Sequence, residues 1–362
     1  MRLKHIYSIG FFLFLGLITS CSSDKPSVPK DKTYLPIARG EANVILVIMD
    51  TADWTSEIGL TLKDIFSEFV PGLPQSEPYF KIRNINPLKL NSVLKSAKNM
   101  IYLSTIDNKS SQGRKMMEFF TDKSLKKITE DSSLFMRPQS DMYAKGQEIL
   151  HLFGQNKNQL LSHLKQNKLR LRNYFLSKEN ARVAKNIFKV REKGIEKKLA
   201  ETHGFKFNIP YGYDLAKDLR DFVWVRTIDP DFEKNIFVHY APYNSKEPFN
   251  DVLAFREKIT STYMRDIEKP EIYMTLQGDG NEYQQVKEMS FNDKYSKEAR
   301  GLWMLNDISS GGPYISYTFV DESQKRLYYL EGYVYAPGGN KRVHMQEIEI
   351  ILQSFLSGKE II

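Results

Sequence analysis

The chain has 362 residues, 41% of them hydrophobic and 27% charged, with a formal net charge of +8. These are globular values, so a disordered or collagen-like chain is excluded, and the length suffices for two domains with cores of their own. A single cysteine, Cys21, leaves no partner for an internal disulfide and no thiolate metal site.

The first twenty residues read as a lipoprotein signal peptide. Arg2 and Lys4 form a basic start, and Ile6 to Ile18 form an apolar run of about a dozen residues, too short to span a bilayer. Ile18-Thr19-Ser20 then leads into Cys21, the spacing of a lipobox. The expectation is cleavage before Cys21, a thioether lipid on its sulfur and acylation, such as palmitate, on the new amino group. Two or more chains give stable anchoring where one does not. An ordinary secretory signal with an incidental cysteine is the alternative. Residues 21–34 follow as a polar tether with two prolines, able to reach about 40 Å when extended. Ser22 points to the outer membrane, on its periplasmic or its surface side.

Residues 35–156 read as an N-terminal α/β domain. Val44 to Met49 is a continuous apolar run, hence a buried strand. Asp50, Thr51 and Asp53 are helix-capping types, and Trp54 to Val70 has helical spacing up to Pro71-Gly72. Strands are expected over 79–85, 99–105 and 133–137, the last ending at Pro138, with a helix around Gly113 to Phe120. A long helix is expected from Met142, and residues 145–200 are almost free of helix breakers. Within them, 157–202 is assigned as a basic helical linker. Between Lys157 and Lys198 lie 13 Lys and Arg against three Glu, a net +10 that exceeds the charge of the whole chain. Nucleic acid is not expected as a partner of a lipid-anchored envelope protein. Anionic lipid or an acidic glycan would suit such a surface, and a solvated helix face is the bland reading.

Residues 203–362 read as a C-terminal α+β domain. Strands are expected over 205–209, 221–227, 235–240, 283–289, 301–306, 314–320 and 326–335, with helices over 249–264 and 341–356. One internal echo joins the halves. Gln147-Glu148-Ile149 follows Pro138 at the spacing with which Gln346-Glu347-Ile348 follows Pro337, and duplication and chance are both open. The fold class is therefore α+β, with two sheet-containing halves and packed helices. The C-terminal half is a mostly antiparallel sheet, and long basic helices link the two.

Chemistry-bearing motifs are sparse. The histidines form no HExxH or HxH pattern, Gly278-Asp279-Gly280 lacks a dinucleotide site's third glycine, and SxxK recurs without its KTG partner. No cofactor, metal or catalytic residue is assigned. Asp50 and Asp53 follow a buried strand, where open α/β sites lie, and could bind a cation or act as acid and base; helix capping is the simpler reading. Arg300, Trp303 and Tyr314, with Tyr317, could line a pocket for a sugar or an anion, although a tyrosine-rich sheet produces the same pattern.

As a set, several stretches resemble a known family. They are the lipobox, Trp54 with Gly59, LPQSEP at 73–78, the Pro-tipped strand at 137 and FVWVR at 222–226. RGLW at 300–303, GGPY at 311–314 and EGYVYAP with KR at 331–342 complete the set. The family is one of Bacteroidota lipoproteins catalogued as domain of unknown function 4837, and the resemblance spans about 35–356. It implies an envelope lipoprotein and brings no activity, cofactor or catalytic residue. The element order over 203–356 also resembles, at fold level only, the photosystem-accessory PsbP-type sandwiches. The expected role is a lipid-anchored envelope protein that binds a protein or glycan partner. The alternative is a hydrolase or transferase acting on envelope polymer.

Overall fold

The computed structural model describes residues 34–278 and 283–361. The signal peptide, Cys21 and the tether up to residue 33 lie outside the described residues. The described residues fold as α+β, around two large separate sheets and a small two-stranded one.

The first half runs β1 (Val44–Ile48), α1 (Thr51–Trp54), α2 (Glu57–Phe66), β2 (Lys81–Ile85), α3 (Ser92–Lys95), β3 (Asn99–Thr105), α4 (Ser111–Met117), α5 (Asp122–Glu130), β4 (Met136–Ser140), β5 (Glu148–Gly154), α6 (Lys157–Gln166) and α7 (Lys168–Ile187). Its sheet has the order β2-β1-β3-β5-β4, parallel except for β4. Strands covered on both faces lose the alternation of a one-sided sheet, which is why VILVI is a continuous apolar run and EILHLFG is buried at every position. One face packs Val47, Ile101, Leu103 and Leu150 against Leu62, Phe66, Leu160, Leu171 and Phe175 from α2, α6 and α7. Burying each such side chain contributes about 1.5–3 kcal/mol. The other face sets Ile48, Met100, Tyr102 and Ile149 against Met116 of α4.

Three expectations change here. The helix expected from Trp54 to Val70 is the shorter α2, preceded by the separate turn of α1, because Ser56 caps α2 by accepting the Ile58 amide at 3.3 Å. At that corner a Cβ on Gly59 would sit 1.8 Å from the Trp54 carbonyl oxygen, so the α1–α2 turn needs glycine. The helix expected from Met142 is instead β5, a central strand between β3 and β4. A strand buried on both faces carries no period to distinguish it from helix. The strand expected to end at Pro138 runs through it, which an edge strand tolerates because it pairs on one side only.

The second half runs α8 (Lys193–His203), β6 (Phe205–Lys206), β7 (Asp214–Leu219), β8 (Phe222–Ile228), β9 (Glu233–Pro242), α9 (Glu247–Asn250), α10 (Val252–Tyr263), β10 (Met274–Leu276), β11 (Gln285–Phe291), β12 (Lys294–Leu305), β13 (Gly311–Asp321), β14 (Arg326–Tyr335), α11 (Arg342–Gln353) and β15 (Leu356–Ser357). Its antiparallel sheet has the order β10-β12-β13-β14-β9-β8-β7, with β11 also paired to β12. Period-two alternation sends Ile315, Tyr317, Tyr328 and Leu330 to one face, against Leu199 of α8 and Ile348, Ile351 and Leu352 of α11. It sends Tyr314, Tyr329, Phe237 and Trp303 to the other, against Val252 and Ile259 of α10. An antiparallel sheet with helices is thus observed, and it carries the photosystem-accessory likeness no further.

The segment 157–202 is not a free linker. Leu160, Leu164, Leu171 and Phe175 are core residues of the first half, and Leu199 is a core residue of the second. The passage between halves is the short stretch between α7 and α8. The internal echo does not mark a duplication either, because Gln147-Glu148-Ile149 enters a strand whereas Gln346-Glu347-Ile348 lies within α11.

The halves meet through the LPQSEP loop. Leu73 packs on the second core, and the Glu77 carboxylate accepts the Lys341 and Arg342 amides at 2.7 and 3.2 Å. Glu77 therefore supplies, from the first half, the N-terminal cap that α11 lacks from its own residues. Nearby, Gln346 of α11 donates to Asn180 of α7 at 2.8 Å.

Candidate functional site

The first site to test lies where the parallel sheet changes direction. β1 has β2 on one side and β3 on the other, so the loops leaving β1 and β3 part at their carboxyl ends. Asp50 and Asp53 stand there, and Asn108 and Ser110 reach them from the loop after β3. The Asn108 side-chain amide donates to Asp50 Oδ2 and Asp53 Oδ2, at 3.3 Å each. Ser110 donates to Asp50, the Ala52 amide donates to Asp50 Oδ1 at 2.9 Å, and Lys157 forms an ion pair with Asp53. Burial opposes ionisation of Asp50. The bonds from Ser110, Ala52 and Asn108, with the Lys157 field, outweigh it and hold the carboxyl below its ordinary value of 3.8. The bond to Asp53 in turn raises the Lys157 ammonium, against partial desolvation.

This cluster can cap α1, tie two loops together and present a compensated pair of carboxylates. Asp50 is thus held away from a general acid's range. Among the described residues no group of three or more His, Cys, Asp or Glu is placed to hold a metal ion.

The second candidate set is a core assembly. Arg300 lies between Glu298 and Glu349 of α11, with its Nε 2.7 Å from Glu298. Burial opposes its charge and the two carboxylates outweigh it. Trp303 donates its indole N–H to the Val334 carbonyl at 3.3 Å. A Cβ on Gly312 would lie 2.0 Å from that same carbonyl oxygen, so the glycine of GGPY gives the indole and β14 their close approach. Tyr314 is 1% exposed, donates to Gln284 at 3.0 Å and lies under the Arg256 guanidinium, 4.2 Å from its ring centroid. The pocket expected from Arg300, Trp303, Tyr314 and Tyr317 is therefore filled by the fold. Arg300 and Tyr317 face α11, whereas Trp303 and Tyr314 face α10. Alternation along the strands places the two pairs on opposite sides of the sheet.

Sequence reasoning missed two polar constellations. Arg256 and Glu331 are both fully buried and bond in a fork, at 2.9 and 2.7 Å, with the Tyr329 hydroxyl also donating to Glu331. His203 has Nδ1 2.8 Å from the Tyr240 hydroxyl and Nε2 2.7 Å from Asp218, while Tyr240 donates to the Arg220 carbonyl at 2.6 Å. That chain resembles an acid–base relay, but the hydroxyl's one proton is directed to a backbone carbonyl. Its effect is to pin α8 to β7 and β9. No local motif announces either set, since the partners lie 75 and 37 residues apart.

The basic segment is largely compensated. Nine of its 13 cations lie in ion pairs, including Lys165 with Glu57 at 2.7 Å, Lys168 with Asp64 and Glu68 at 3.1 Å, and Arg172 with Glu68. α2 thus presents a row of acids to the basic row of α6 and α7.

Open space lies elsewhere. A cleft of about 1160 Å³ sits at one end of the second sheet, between the segment after β9, the start of β12 and the β13–β14 hairpin. Tyr243, Phe249 and Tyr295 form one wall, and five lysines and five carboxylates line the rest. A groove of about 590 Å³, lined in part by Ile37, Val93 and Arg39, lies at the edge of the first sheet. None of Asp50, Asp53, Arg300, Trp303 and Tyr314 lines either space.

Fold and site together define a two-sheet α+β protein whose conspicuous polar residues serve the scaffold. Residues 192–354 match the family described as Domain of unknown function (DUF4837), and residues 38–188 match a separate one, Domain of unknown function (DUF8532). The first resemblance therefore holds for the second half, and the motifs at Trp54, LPQSEP and Pro138 fall within the other family's range. No curated protein matches the chain. Among solved structures, a point mutant of Protein Mog1 is similar at 9% identity and TM-score 0.28, over 42% of this chain and 90% of that one. LpqN, involved in cell envelope biogenesis of Mycobacterium tuberculosis, is similar at 14% identity and TM-score 0.27, over 42% and 81%. The human StarD13 (DLC2) lipid transfer and protein localization domain gives 10% and 0.19, over 45% and 95%. At these scores the likenesses carry no argument about activity.

Proposed function

We propose that this chain is a cell-envelope lipoprotein, anchored through Cys21 to the outer membrane, that binds a protein or glycan partner rather than catalysing a reaction. The observation that carries the binding role is the cleft at the end of the second sheet. It is open and lined by rings and polar groups, whereas the candidate catalytic side chains are bonded into the scaffold. Anchoring is supported by the run from Arg2 through Ile18-Thr19-Ser20 to Cys21. No helix among the described residues is long and apolar enough to cross a membrane.

Two measurements test this reading. Mass spectrometry of the mature N-terminal peptide should find Cys21 acylated, and Cys21→Ala should release the protein from membranes. Crosslinking in the native envelope should recover a discrete partner. An unmodified Cys21, or a protein that crosslinks to nothing, would overturn it.

The hydrolase or transferase alternative rests on one feature, the Asn108 amide that bridges Asp50 and Asp53. It requires Asp50→Asn to abolish release of envelope polymer fragments while the protein stays folded. On the scaffold reading, Asp50→Asn changes stability and no turnover.

A further inference from the structure

We propose that the cleft at the end of the second sheet binds a neutral saccharide chain, stacked on the wall formed by Tyr243, Phe249 and Tyr295. This rests on the partner-binding reading above and names the ligand class.

The wall is built from two separate segments. Tyr243 meets Phe249 edge-on, with centroids 6.3 Å apart and planes at 90°. Phe249 continues to Tyr295 at 5.9 Å and 38°. Tyr295 is 57% exposed although it sits on a strand of the main sheet. Its phenol is raised above its ordinary value of 10.0, by desolvation first and then by the Glu288 carboxylate, which places the hydroxyl beside that side chain. Rings with one wet edge and one bare face suit a ligand that is itself apolar on one face and polar at its rim, as a pyranose is.

Charge selects among such ligands. The five lysines and five carboxylates cancel. Several pair with one another, as Lys294 does with Glu360 and Lys297 with Glu288, at 2.5 and 3.9 Å. Asp321 is committed to Ser323 and Ser357, at 2.6 Å each. A polyanion finds no net positive field here, whereas sugar hydroxyls find both donors and acceptors in the lining. At about 1160 Å³ the space exceeds the range of about 300–1,000 Å³ usual for one small molecule, so it fits a chain rather than a single ring.

The test uses the full lipidated protein in nanodiscs and saturation-transfer NMR. The probes are chitotetraose, maltotetraose, cellotetraose and mannotetraose, with tetragalacturonate as the charged contrast and a random-sequence heptapeptide pool as the polymer contrast. At least one neutral tetrasaccharide should receive saturation from the protein's aromatic protons. Its affinity should fall about tenfold in Tyr295→Ala, the loss of one stacking ring, with an unchanged melting temperature. Phe249→Ala should weaken binding likewise. The inference is overturned if no neutral probe binds, if Tyr295→Ala binds as well as the parent, or if tetragalacturonate or the peptides bind in their place. A protein crosslinked in the envelope beside a negative sugar result would leave the lipoprotein reading standing and remove this one.

Discussion

Between α2 and the helices beside it in the first half, opposite charges meet on the outside; between α10, the sheet and α11 in the second, they meet in the interior. α2 sets Glu57, Asp64 and Glu68 against Lys165, Lys168 and Arg172, and most of these side chains touch water. The second sheet instead encloses Arg256 with Glu331, and Arg300 with Glu298 and Glu349, beneath helices. Exposed pairs gain little, because water and salt screen them. Enclosed pairs are costly to assemble and costlier to break, because a lone charge then remains in the core. The two halves therefore use the same residue types for different ends. The first uses them to dress and orient helices, and the second to fix which side chains meet across α10, the sheet and α11.

The contrast breaks most visibly at Glu331. Glu331→Gln should lower unfolding free energy by about 3 kcal/mol, because Arg256 would be left buried with only the partly exposed Glu257, 3.3 Å away, to offset its charge. Replacing both, as Arg256→Met with Glu331→Leu, should recover much of that loss. Chemical denaturation of the single and double variants reads both. If Glu331→Gln cost less than about 1 kcal/mol, the interior pairing would matter no more than the exterior one.

Acid should destabilise next most strongly, through His151. Burial, and then Arg137 on the neighbouring strand, push its imidazole down to about 4 from an ordinary 6.5. The unfolded chain takes up the proton near pH 6.5 while the folded chain refuses it until about 4. Stability should therefore fall as pH drops through that window, by up to about 3 kcal/mol from this group. His239 and His344, lowered mainly by burial, act in the same direction. Denaturation midpoints at pH 7, 5.5 and 4.5 check this, and His151→Phe should flatten the slope.

Glu77→Ala should cost about 1–2 kcal/mol through the lost cap on α11, and it should quicken proteolysis between residues 188 and 192. The smallest effect belongs to the outside of the first half. Lys165→Ala should change stability by less than about 1 kcal/mol, and less still in high salt.

What the sequence disclosed follows from how much local pattern each element carries. VILVIM, Asn99 to Thr105 and Arg326 to Tyr335 were legible because apolar runs or alternation bounded by turn residues leave few options. β5 was not, since EILHLFG is buried on both faces and shows no clean alternation, within a stretch almost free of breakers. β7 was also hidden, because DLAKDL is a polar, partly exposed edge strand with an irregular register. The candidate sites divide the same way. Asp50 and Asp53 stand at the strand end where they were expected, and Asn108, which bridges them, lies 58 and 55 residues away. Arg300, Trp303 and Tyr314 misled because a core strand and a binding strand share the same composition of rings and arginine. The cleft was invisible in sequence because its wall joins residues some fifty positions apart.

The cap that Glu77 places on α11 also fixes an order of events. α11 follows the strands of both large sheets in the chain, so during synthesis the first half has emerged long before its carboxylate has a helix to hold. Domains made first tend to fold first. The joint between the halves is therefore among the last contacts to close. A premature stop between residues 192 and 342 leaves the first half whole with an open docking point, a recognisable handle for quality control.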